Sequence, residues 1–232
     1  MTPFSNPHAI SDYAENSRRL VPGLDDFRRI CSLILAERVP EEGRILVVGA
    51  GGGLELKAFA EFAPRWRFDG VDPSAEMLQL AETTLGPHIA RVQLHQGFID
   101  AAPDGPFDGA SCLLTLHFTT KKERLETLKA IHRRLKPGAP FVAMHFSFGQ
   151  ENGERDLWLS RYAAFAATSG VDPEKARQAA AAINERLTLL SPEQDEQLIQ
   201  EAGLSQPQLI YTALAFRGWV TYAKAIMPVE RS

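Results

Sequence analysis

Cysteine is scarce: the 232 residues hold two, Cys31 and Cys112. They lie far apart and form no metal-ligand spacing, which excludes a disulfide framework and suits a reducing compartment. No apolar run approaches the roughly 20 residues that a membrane span needs. The opening MTPFSNPHAISDYAENSRRL lacks the apolar stretch of a secretory signal. A basic excess is also missing. Lys and Arg number 25 against 29 Asp and Glu, a net charge of −4, which argues against a nucleic-acid partner. The exclusions leave a cytoplasmic protein with neither membrane nor nucleic acid as partner. What is present is ordinary globular material, 44% hydrophobic and 23% charged, in a chain long enough to bury a core without staples.

Residues 1–23 are polar and carry Pro3, Pro7, Pro22 and Gly23, which predicts a lead-in arm with a short helix. Leu24, Phe27, Ile30, Cys31, Ile34 and Leu35 then recur at helical spacing. Arg44–Gly49 is almost wholly apolar, as suits a strand buried on both faces, and a glycine turn and a helix over 54–62 follow it. The unit repeats: strands over 66–71, 91–94, 107–114 and 140–146 alternate with helices to Leu85 and over about 121–135. This predicts an α/β fold with a doubly wound, Rossmann-like sheet, mostly parallel. After Gly149 come two Ala-rich helices split at Gly170-Val171-Asp172-Pro173, and a helix capped by Ser191 that stops at Gly203. Strands over 207–216 and 217–223 form an antiparallel C-terminal edge hairpin. The expectation is a single domain over 1–232, with residues 1–40 as arm, helix and lid and 150–190 as a helical insert after strand five.

Gly49, Gly51 and Gly53 follow a buried strand and open a helix. Glycine there lets a ligand approach the main chain, and the helix start offers free N–H groups. A dinucleotide fingerprint needs its third glycine at position 54, which is Leu54. The spacing therefore suits a nucleoside without a pyrophosphate, or a purely structural turn. Asp72 closes the next strand, where an acid accepts ribose hydroxyls; the alternative is a helix-start acid before Pro73.

VVGAGGG, VDPSAEML, the QGF loop, FDGASCLLTLHF and LKPGAPFV, in that order, resemble the motifs of class I S-adenosylmethionine-dependent methyltransferases over residues 24–148. Leu20-Val21-Pro22-Gly23, Leu35-Ala36-Glu37-Arg38, Phe146-Ser147-Phe148 and Glu201-Ala202-Gly203-Leu204 bring the pattern nearest to the carboxy-S-adenosylmethionine synthases of the tRNA wobble-uridine pathway. The resemblance implies S-adenosyl-L-methionine as cofactor and S-adenosyl-L-homocysteine as product. It places Gly49, Ala50, Gly51 and Gly53 along the amino-acid portion, Asp72 on the ribose, and Pro73 and Met77 beside the adenosine. Gly97, Phe98 and Ile99 would flank the adenine, and the Leu113 backbone would face the methionine. Four positions depart from the pattern. Val47 replaces the acid that holds the methionine ammonium, and Phe98 replaces the Asp that binds the adenine amine. Ala180 stands where the carboxy-cofactor synthases carry an arginine, and Leu24 where they carry a tyrosine.

Methyl transfer from a sulfonium mainly needs alignment, with a base only for an acceptor that holds its proton near neutral pH. His117, His145 and Tyr13 are the catalytic candidates; a helix cap, a core histidine and arm packing are the respective alternatives. Trp158, Tyr162 and Phe165 share a helix face on the insert, as a substrate wall, core packing or a homodimer surface. No metal is implied. The expected activity is methyl transfer to a small-molecule acceptor. The alternatives are a carboxy-cofactor synthase or tRNA-modifying relative, and a non-catalytic cofactor-binding protein.

Overall fold

The computed structural model describes residues 13–225. Two helices, α1 (Tyr13–Leu20) and α2 (Leu24–Ala36), lead into β1 (Arg44–Val48), α3 (Leu54–Phe62), β2 (Arg67–Asp72), α4 (Ala75–Leu85) and β3 (Val92–Gln96). Then come β4 (Gly109–Leu113), α5 (Lys121–Arg134) and β5 (Pro140–Phe146). The insert supplies α6 (Glu154–Thr168) and α7 (Pro173–Arg186), and α8 (Pro192–Glu201), β6 (Gln208–Ala213) and β7 (Phe216–Tyr222) complete the order. The seven strands form one sheet, β3-β2-β1-β4-β5-β7-β6. The first five are parallel, and β7 runs antiparallel between β5 and β6. This is the doubly wound, Rossmann-like sheet with an antiparallel edge.

Strand alternation builds two cores. Ile45 and Val47 of β1 and Val142, Met144 and Phe146 of β5 pack against α2, α3, α4, α6 and α7. Leu46 and Val48, with Phe141 and Ala143, pack against α5 and α8. Winding reverses between β1 and β4, so their carboxyl ends open a crevice at the switch point, where ligands of such sheets bind. The hairpin turns at Leu214-Ala215, two residues before the expected break. Leu214 takes the left-handed conformation there (φ 48°), and a leucine gives no turn signal. Among the described residues no helix is long and apolar enough to cross a membrane.

Candidate functional site

The turn after β1 holds the crevice open to main chain. The N–H groups of Gly49 and Ala50 both donate to the Val71 carbonyl at 2.9 Å, folding the turn over the end of β2. Gly49 has φ 77°, and a Cβ there would collide with the Thr115 side chain. Gly53 has a different task. A Cβ on it would lie 2.8 Å from the Ala81 Cα, so Gly53 lets α3 pack closely on α4 rather than lining the crevice.

Asp72 organises the turn. Its Oδ2 accepts the Gly51 N–H at 2.9 Å and its Oδ1 the Ser74 N–H at 3.0 Å. Each oxygen keeps a lone pair for another donor. Partial burial raises the carboxyl's pKa, and the Ser74 and Gly51 N–H groups oppose that rise. Ser74, not Asp72, caps α4 by accepting the Met77 N–H at 3.1 Å. The Asp72 carbonyl accepts the Gly97 N–H at 3.0 Å, which ties the loop after β3 to the same edge.

Leu24 and Arg28 of α2, Gly49, Ala50, Leu54, Glu55, Leu113 and Leu114 line a cleft of about 20 Å³. Small-molecule sites usually enclose about 300–1,000 Å³, so the cleft is nearly closed in this form. Leu114 is left-handed (φ 57°), a conformation that costs a non-glycine residue about 1–2 kcal/mol and that gathers at functional sites.

Glu55 and Arg28 escape the sequence reading. Glu55 is 7% exposed and accepts a hydrogen bond from the Ser111 hydroxyl of β4. Burial pushes its carboxyl up to about 7, against the smaller opposing effects of Ser111 and Arg28. Arg28 donates to Asp25 at 2.7 Å. A signal for Glu55 existed: it precedes buried Phe59 by four residues, on the apolar face of α3, where a solvated charge has no place.

The structure brings Gly49, Ala50, Gly51, Asp72, Gly97 and Leu113 to one edge and separates others. Ile99 is buried beside Leu46, Val48 and Val71 in the α5–α8 core, so it does not flank the cleft. Met77 is buried, Pro73 is exposed, and Phe98 is 73% exposed on the loop after β3. Tyr13 opens α1, and its side chain lies outside the described residues.

His145 is corrected from catalytic candidate to core residue. Its strand position sends it to the sheet face opposite Met144 and Phe146, away from the cleft. There it is 1% exposed, 5.5 Å from the Trp219 ring, with Nε2 3.2 Å from Asp195 Oδ1. Arg124 Nη1 meets the same Asp195 oxygen at 2.6 Å, and its remaining nitrogens donate to the Leu116 and Thr188 carbonyls. His117 follows β4 and packs on Phe118 and Phe146. Its Nδ1 accepts the Phe146 N–H at 3.4 Å. Burial, then His145 and Arg124, hold it well below the ordinary imidazole range, so it is neutral at neutral pH.

A larger hollow of about 500 Å³ lies beyond the carboxyl end of β5, between the insert, the start of α8 and β7. Gln150, Glu151, Glu154, Trp158, Glu193 and Arg217 are among its walls. The aromatic face of α6 is therefore divided: Trp158 borders the hollow, while Tyr162 is buried against Phe146 and Phe216.

Residues 45–138 match the family described as a methyltransferase domain. The chain is 22% identical over 204 residues to a carboxy-S-adenosyl-L-methionine synthase of Staphylococcus epidermidis, across 86% of this chain and 87% of that one. It is 33% identical over 115 residues to a ubiquinone/menaquinone biosynthesis C-methyltransferase of Geotalea uraniireducens. That match covers 47% of this chain and about half of the relative, 48%. An O-methyltransferase family protein from Burkholderia thailandensis superposes with a TM-score of 0.68 at 13% identity, over 95% of this chain and 61% of that one. At that identity the likeness is one of fold.

Proposed function

We propose that this chain, whose residues 45–138 match a methyltransferase domain, is a class I S-adenosylmethionine-dependent methyltransferase that moves a methyl group to a small-molecule acceptor by in-line displacement. The observation that carries the proposal is the cleft at the β1–β4 switch point. Gly49 and Ala50 of the turn line it, and Asp72, bound to the same turn through the Gly51 N–H, keeps lone pairs free for ribose hydroxyls. When bound, S-adenosylmethionine supplies a sulfonium-activated methyl group and leaves as S-adenosylhomocysteine. The protein's part is to orient and to exclude water. The Gly49–Gly51 main chain and Leu113 hold the amino-acid end, and Phe98, exposed in this form, closes over the adenine. Leu24 and Arg28 make α2 the lid. The 500 Å³ hollow under Trp158, on the same edge of the sheet, receives the acceptor. His117 is buried and its one free ring lone pair accepts the Phe146 N–H, so the reading rests on alignment and assigns His117 no proton transfer.

Carboxy-cofactor synthesis is the second reading, favoured by the relative that spans 86% of the chain. Ala180 counts against it: at the position where those synthases resemble one another in an arginine, this chain has a buried alanine on α7.

Thermal unfolding with candidate ligands separates the cofactor classes. At 100 times its dissociation constant a ligand adds about 2.7 kcal/mol, a rise of about 5–10 °C for a chain of this size. S-adenosylmethionine and S-adenosylhomocysteine should both raise Tm, and NAD should not. A rise with NAD alone would overturn the reading.

A further inference from the structure

We propose that Glu55 is the receptor for the cofactor's methionine ammonium, replacing the acid that Val47 removes from β1, with Arg28 of α2 supplying the positive charge for the adjoining carboxylate. The inference rests on the cofactor reading above. Its basis is geometric. Glu55 and Arg28 line the same cleft as Gly49, Ala50 and Leu113, the segments that the proposed function assigns to the amino-acid end of the cofactor. One anionic and one cationic side chain in a cleft walled by main chain and leucines form a complement to a zwitterion.

The state of Glu55 in the free protein supports this role. It is 7% exposed, and among the described residues no cation lies within ion-pair distance of it. Its neighbours come from three elements: Ser111 and Cys112 on β4, Arg28 and Cys31 on α2, and its own helix. Ser111 donates to the carboxylate, both thiols are buried and un-ionised, and Arg28 is already engaged by Asp25. Burial lifts the Glu55 carboxyl to about 7. The sign of its effect on stability follows. Below the ordinary carboxyl pKa both folded and unfolded chains hold the proton. As pH rises towards 7 the unfolded chain loses it first, so stability falls across that interval and stays lower above it. A buried carboxyl kept at such a cost, near Arg28 but not ion-paired with it because Arg28 is bonded to Asp25, is placed for a ligand's cation.

An arriving ammonium favours the carboxylate, so Glu55 must release its proton to solvent as the ligand binds. The test is calorimetric titration of the full chain with S-adenosylhomocysteine and with 5′-methylthioadenosine, which lacks the amino-acid end. Near pH 7 the wild type should release about half a proton with the former, read from buffers of different ionisation enthalpy, and none with the latter. Glu55→Gln should weaken S-adenosylhomocysteine by about 10–100-fold, leave methylthioadenosine within about two-fold, and abolish the proton release. Equal weakening of both ligands, or unchanged affinity for both, would overturn the assignment of Glu55 while leaving the cofactor reading intact. If the variant fails to fold, the wild-type proton count decides alone: zero release with S-adenosylhomocysteine overturns the proposal. No binding of either ligand by the wild type would overturn the proposal together with the reading beneath it.

Discussion

Asp72→Ala is expected to abolish measurable cofactor binding, a loss of at least about 100-fold in calorimetric titration, and to lower Tm by several degrees. Two separate contributions disappear. The first is the ribose recognition that the proposed function assigns to the lone pairs Asp72 keeps free. The second is internal: Asp72 accepts the Gly51 and Ser74 N–H groups at 2.9 and 3.0 Å and so pins the glycine turn to the end of β2. Hydrogen bonds to a charged group are worth about 1.5–3 kcal/mol each when well shielded, and less at a half-buried site. The turn matters because Gly49 is wedged against Thr115 and has no side chain of its own to fix its position. Asp72→Asn keeps one acceptor oxygen and should fall between wild type and Ala in both affinity and Tm. Unchanged affinity in Asp72→Ala would remove Asp72 from the site and leave it a structural role.

The largest stability effect is expected far from the cleft. Arg124 and Asp195 are 0% and 1% exposed and join α5 to α8 at 2.6 Å. Removing one member of such a pair strands the remaining charge, at about 3–5 kcal/mol. Arg124→Met should therefore lower Tm by about 10 °C or more at neutral pH. Burial alone would raise the Asp195 carboxyl, but His145 and Arg124 outweigh it and hold it below the usual carboxylate range. A lowered carboxyl contributes stability above its ordinary pKa and loses it as pH falls through the folded value. The deficit of Arg124→Met should thus be full at neutral pH and shrink in acid, as Asp195 takes up a proton in the variant. Pairing it with Asp195→Leu should restore much of the lost Tm. A neutral-pH Tm within 2 °C or so of wild type would show that the pair holds nothing together.

Those two sites differ in how far the sequence discloses them. The glycine turn and Asp72 are legible because their backbone demands are local: a buried strand, a turn that tolerates only glycine, and an acid at the next strand's end. The bounds of α3 and β5 agree to the residue with the helix over 54–62 and the strand over 140–146, each fenced by glycine or proline signals. The hairpin turn is less legible because Leu214 adopts a conformation that its side chain disfavours, held there by the strands on either side. The Arg124–Asp195 pair is invisible because 71 residues separate its members and only the packing of α5 beside α8 joins them. Glu55 carries a signal in its place on the apolar face of α3, but its partner Ser111 is 56 residues away and Arg28, paired with Asp25 on α2, reads as an ordinary helix charge. His145 shows the converse. Its chemistry invites a catalytic role, but strand alternation turns it towards Trp219, on the opposite sheet face from Met144.

A crystal structure of the chain with S-adenosylhomocysteine is the most direct measurement. The account expects the sulfur beside the Gly49–Gly51 main chain and Leu113, the ribose hydroxyls on Asp72 and the amino-acid end between Glu55 and Arg28, with α2 displaced from its present position over the cleft. A ligand seated elsewhere on the sheet, or a cleft that stays shut at saturating concentrations, would contradict it.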